Sequence, residues 1–161
     1  MPVPHSGRRR SLARASVGLL GLILAACGPE PDPIRGLLVE LEQAAEARDA
    51  AALRARLTPD FRGPQGLDVV EAEAMARRYL AGYERVSLDL YDVAVEEQGD
   101  TARVAFAVDF RGEARRLGPL QALLPPEASY RFELELSRGV GQWLVAGAEW
   151  SPQPLPETDA S

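Results

Sequence analysis

"RVSLDLYDVAVEEQGDTARVAFAVDF", residues 85–110, decides the fold, because here the spacing of apolar side chains changes from a helical period to a period of two. Val86, Leu88 and Leu90 alternate with Ser87 and Asp89, the pattern of a strand that buries one face and wets the other. The apolar parity then moves to Tyr91, Val93 and Val95, which a straight strand cannot do without turning its buried face over. A bulge near Leu90 to Asp92 resolves the conflict and bends the strand. Gln98, Gly99 and Asp100 predict the hairpin turn, and Val104, Phe106, Val108 and Phe110 line one side of the returning strand.

Upstream of this stretch the period is helical. Asp32 is placed to cap a helix with Pro33 at its first position, and Ile34, Leu37, Leu38, Leu41, Ala44 and Ala45 form its buried stripe. Glu40, Glu42, Glu46 and Arg35 fall outside the stripe. Asp49 begins a second short helical piece carrying Leu53 and Leu57, which Pro59 stops before Asp60 and Phe61. Gly63, Pro64, Gln65 and Gly66 read as a loop. Asp68 and Glu71 form a capping-box pair, after which Ala72, Met75, Ala76, Tyr79, Leu80 and Tyr83 give a third helix its apolar face.

Downstream, Tyr130, Phe132, Leu134 and Leu136 alternate with Arg131, Glu133 and Glu135, a turn spans Arg138 to Gly141, and a last strand runs from Trp143 to Trp150. The tail from Ser151 to Ser161, with three prolines and scattered acids, reads as disordered. The expected class is α+β: three N-terminal helices packed on a strongly bent antiparallel sheet of about four strands.

The N-terminus carries an address. "GLLGLILAACGP", residues 18–29, places the single Cys of the chain at the end of its greasiest run. Val17 to Ala26 is ten residues, against the roughly twenty needed to cross a bilayer as a helix. With Arg8, Arg9, Arg10 and Arg14 before it and the small Ala25 and Ala26 behind it, the run has the three parts of a secretory signal peptide. Leu24, Ala25, Ala26 and Cys27 resemble the bacterial lipobox. That resemblance implies cleavage before Cys27 and a diacylglyceryl thioether on its sulfur, and acyl chains anchor firmly because each buried methylene contributes about 0.8 kcal/mol. Gly28 after the Cys, by resemblance to lipoproteins of two-membraned bacteria, favours the periplasmic face of the outer membrane if the cell has two membranes. The implied organisation is a signal peptide over residues 1–26, lipidated Cys27 with a proline-rich tether to residue 33, a domain over 34–152, and a tail over 153–161.

Composition removes whole classes of chemistry. All 24 acidic residues lie beyond Cys27 while only 14 of the 18 arginines do, leaving the mature chain at about minus ten, which opposes nucleic acid. The lone His5 leaves with the signal. A Ser-His-Asp or Cys-His site, a zinc site of the common nitrogen and sulfur type, and a histidine base are therefore excluded, and no cofactor or metal is expected. No residue is assigned a catalytic role from the sequence.

The order of helices then bent hairpin strands, with "LEQAAEARDAAALRARLTPDFRG" (41–63) and "QWLVAGAEWSP" (142–152), resembles the nuclear transport factor two-like superfamily, which includes ketosteroid isomerases and polyketide cyclases. The resemblance implies a cone with an internal pocket, lined here by Tyr79, Tyr83, Phe106, Tyr130, Phe132, Trp143 and Trp150. The bland alternative for each is core packing. In "RRLGPLQALLPP" (115–126), Leu117, Leu120, Leu123 and Leu124 fall on one side of a short helix begun at Pro119, with Arg115 and Arg116 beside them. This segment either closes the wide end of the cone or meets an acidic partner or a second copy of the chain. The expected function is that of a lipid-anchored envelope protein, without catalysis, that binds a small apolar ligand or another envelope protein. Two alternatives stand beside it. One is an isomerase- or cyclase-like pocket enzyme using a carboxylate such as Asp109 with Tyr79 or Tyr83, and the other is a structural envelope component.

Overall fold

The computed structural model of the chain describes residues 32–116 and 123–155. Cys27 with its flanks, Leu117, Leu120 and the last residues of the tail lie outside the described residues. In chain order the elements are α1 (Pro33–Glu46), α2 (Ala50–Arg54), β1 (Leu57–Arg62), a 3₁₀ turn at Pro64–Gly66, α3 (Val69–Ala81), β2 (Tyr83–Gln98), β3 (Thr101–Ala114), β4 (Glu127–Arg138) and β5 (Trp143–Gln153). Five strands form one mixed sheet in the order β1-β5-β4-β3-β2, with β1 parallel to β5 and the other neighbours antiparallel.

Local chemistry accounts for the helix ends. The Asp32 carboxylate accepts from the Ile34 and Arg35 amides at 3.0 and 3.2 Å, and Pro33 occupies the first turn, where its missing N–H costs nothing. Asp49 caps α2 through the Ala52 amide at 2.9 Å. At α3 the reciprocal box is complete: Asp68 accepts from the Glu71 amide at 2.9 Å, and the Glu71 carboxylate accepts from the Asp68 amide at 3.0 Å.

The bulge read from the parity jump is present. The β2–β3 register steps from Tyr91 opposite Ala107 to Ala94 opposite Ala105, so two residues of β2 face one of β3, and Asp92 takes a left-handed φ of 53°. Leu88 and Leu90 before the bulge and Val93 and Val95 after it all pack against the same core. That core joins Ile34, Leu37 and Leu38 of α1 to Val104, Phe106, Leu134, Leu136 and Val145 of the sheet.

Three boundaries differ from the sequence reading. Leu57 to Arg62 is a strand and not the end of a helix, which raises the sheet to five strands and makes it mixed. The four-residue spacing of Leu53 and Leu57 imitates a helical stripe, while Pro59 is tolerated because β1 is an edge strand. Tyr83 opens β2 instead of closing α3, which ends at Ala81 with Gly82 as its C-cap. β5 continues to Gln153, pairing Ser151 with Arg131 and Pro152 with Tyr130. Pro152 fits because the β1 pairing reaches only to Gly147, leaving this end of β5 with one neighbour.

Candidate functional site

Between the helices and the inner face of the sheet lies a cavity of about 410 Å³. Leu38 and Leu41 of α1, Leu53 of α2 and Met75, Ala76 and Tyr79 of α3 form one wall. The sheet supplies Leu88, Leu90, Phe106, Val108, Tyr130, Phe132 and Trp150. These sheet residues converge because strand side chains of one parity share a face, and the bend of β2 keeps that face turned toward the helices. Phe106 and Phe132 lie parallel, centroids 5.4 Å apart and planes 7° from coincidence, and Trp150 and Tyr130 flank Phe132 at 5.9 and 6.3 Å.

Of the residues expected on the pocket, Tyr79, Phe106, Tyr130, Phe132 and Trp150 border this cavity, and Tyr83 and Trp143 do not. Tyr83 is 0% exposed, sits edge-on to Phe110, and donates its hydroxyl to the Pro125 carbonyl at 2.9 Å. Trp143 is buried in the main core with the Arg138 guanidinium 4.4 Å above its ring. Both are packing residues whose polar tips or faces are already engaged.

The leucine segment divides in the same way. Leu124 packs into the Tyr83 cluster and against Gly82, whereas Leu123 is 76% exposed. Arg115 is tied down: its amide donates to the Gly82 carbonyl at 2.8 Å and its Nε to the Tyr83 carbonyl at 3.2 Å. Only Arg116 of the two arginines lacks such a bond among the described residues, and it is exposed. Leu117 and Leu120 of the same segment lie outside the described residues.

Three charged residues reach the cavity wall, and the sequence reading singled out none of them as site residues: Glu42, Arg54 and Glu73. The Glu73 side chain, 11% exposed, accepts from Arg54 Nη1 at 2.7 Å and also pairs with Arg77. Glu42 has no such cation among the described residues. Burial, then the Glu46 and Asp89 carboxylates, raises its pKa above the ordinary glutamate value. A signal was available. Glu42 stands one helical turn beyond Leu38, and Glu73 directly follows Ala72, so each carboxylate borders an apolar stripe instead of lying opposite it.

The Tyr79 hydroxyl is buried without a hydrogen-bond partner among the described residues. Burial pushes its pKa up to about 12, the adjoining Tyr83 phenol adds to the shift, and Tyr130 partly offsets it. Burial, with Tyr79 beside it, also raises Tyr130. Both phenols are therefore neutral at physiological pH. Asp109 lies off the cavity wall, where Tyr91 donates to it at 3.2 Å. Among the described residues no carboxylate is hydrogen-bonded to a tyrosine inside the cavity. Nor do three metal-ligating side chains cluster anywhere among them.

No family model and no curated protein sequence matches the chain. Solved structures do. A protein of Novosphingobium aromaticivorans provisionally described as a scytalone dehydratase aligns with a TM-score of 0.65 at 11% identity, over 76% of this chain and 83% of that one. A hexachlorocyclohexane dehydrochlorinase aligns at 0.61 with 14% identity, over 80% and 90%. A nuclear transport factor 2-like superfamily protein of Salmonella enterica aligns at 0.61 with 16% identity, over 80% and 94%. The fold is thus the nuclear transport factor two-like, or cystatin-like, α+β fold. At these identities the likeness speaks to architecture alone, because one scaffold of this kind carries many activities.

Proposed function

We propose that this chain is a lipid-anchored bacterial envelope protein whose domain binds a small apolar molecule in the cavity between its helices and its sheet. The observation that carries the reading is the cavity itself. Its volume lies within the range of small-molecule sites, and its walls are aromatic and aliphatic apart from three charged side chains. An apolar ligand gains by leaving water, and a cavity that is already formed spares the protein the cost of opening one. The lipobox-like Leu24 to Cys27 and the acyl anchor it implies supply the location.

A pocket enzyme is the second reading. Its support is the presence of a dehydrochlorinase among the structural neighbours, together with Glu42, Tyr79 and Tyr130 on one cavity. Against it stand the unpartnered Tyr79 hydroxyl and the place of Asp109 off the cavity wall, since a carboxylate base and a phenol donor have to meet at one substrate.

Native mass spectrometry of the detergent-extracted protein tests the proposal. The expected spectrum is that of a chain beginning at Cys27 with acyl mass added and a small molecule retained. A mature chain without lipid mass overturns the anchor, and an extract that neither retains nor takes up any apolar compound overturns the binding role.

A further inference from the structure

We propose that Glu42 sets the charge preference of the cavity, so that its occupant is an apolar molecule carrying one cationic group. The inference rests on the cavity-binding reading and adds the chemical class of the ligand. Of the three charged residues on the wall, Arg54 is spent on Glu73, and Glu73 is held by both Arg54 and Arg77. Glu42 alone has no countercharge among the described residues. Its charged neighbours are Glu46 on α1, which accepts from the Leu88 amide at 2.9 Å, and Asp89 on β2, which pairs with Arg111 at 3.2 Å.

The Glu42 carboxylate, partly buried on a wall it shares with Leu38, Leu41 and Leu90, has lost part of its hydration and regained no ion pair among the described residues. An ammonium group on a bound ligand restores the loss with a charge-assisted hydrogen bond. A neutral hydrophobe leaves Glu42 further dehydrated. A fatty acid adds a fourth anion beside Glu42, Glu46 and Asp89 and is disfavoured, although the aromatic walls suit its tail equally well.

The test uses the full-length chain in zwitterionic phosphatidylcholine nanodiscs, with empty nanodiscs as the blank. Three ligands with one apolar body are titrated by calorimetry: 1-aminoadamantane, 1-adamantanol and adamantane-1-carboxylate. The amine is expected to bind about fivefold more tightly than the alcohol, with the carboxylate weakest, as for a partly exposed ion pair. Glu42→Gln is expected to abolish the amine's advantage over the alcohol, and Glu42→Asp to retain it. A carboxylate that binds the wild type as tightly as the amine overturns the inference, as does an amine preference that survives Glu42→Gln. Equal binding of all three removes the charge preference alone and leaves the cavity as a ligand site. Binding of none removes both.

Discussion

The ring of Tyr83 fills the space in which Gly112 would carry a side chain: a Cβ on Gly112 would stand 2.4 Å from two ring carbons of Tyr83 and 2.9 Å from Phe110. Tyr83 cannot retreat, because its hydroxyl is bonded to the Pro125 carbonyl and Arg48 and Arg115 both donate to its own carbonyl. Gly112→Ala is therefore expected to destabilise the fold by about 1–3 kcal/mol through overpacking. Urea unfolding of variant and wild type measures the difference, and an unchanged midpoint contradicts the tight approach.

The bent strand predicts contrasting effects for two substitutions at one position. Asp92 sits at φ 53°, a region that glycine and asparagine tolerate and β-branched residues do not. Asp92→Val is expected to cost about 1–2 kcal/mol and Asp92→Gly close to nothing. Thermal melts of the two variants side by side check the contrast.

Tyr79 gives a pH dependence with a defined direction. Its folded pKa of about 12 lies above the ordinary value of 10, so the native state keeps a proton that the unfolded chain releases first. The resulting stability is whole below pH 10 and is lost as the pH rises toward 12. Tyr79→Phe is expected to flatten that decline. At neutral pH, where it only removes a buried hydroxyl with no partner, it should be neutral or stabilising by up to about 1 kcal/mol. Denaturant titrations at neutral and alkaline pH read both effects.

How much of this was legible in the sequence depended on whether the signal was local. The caps at Asp32 and Asp68 and the bulge at Asp92 are set by residues within a few positions of one another, and each could be read directly. β1 could not, because its partner β5 lies more than eighty residues away and its own six residues carry a proline and a helix-like leucine spacing. Tyr83 and Trp143 could not be told apart from Tyr79 and Trp150 by type or period. Which aromatic faces a cavity and which fills the core is decided by what packs opposite it. Glu42 and Glu73 were passed over because a carboxylate at the border of an apolar stripe looks like a solvated one until the facing sheet is in place.

The proposed anchor is tested by Cys27→Ser. Loss of the thiol removes the acceptor for the lipid, so the variant is expected to leave the membrane fraction for the soluble one or to accumulate unprocessed. Fractionation with mass determination of the N-terminus distinguishes these from a variant still processed and still membrane-bound, which contradicts the anchor.

The central claim is that the space between helices and sheet is a working site for an apolar molecule, and filling it tests that claim most directly. Calorimetric titration of 1-adamantanol into the full-length protein and into its Ala76→Trp variant, both verified as folded by circular dichroism, compares the open cavity with an obstructed one. Saturable binding to the wild type that disappears in the variant is the predicted result. Binding that is absent from both, or equal in both, contradicts it.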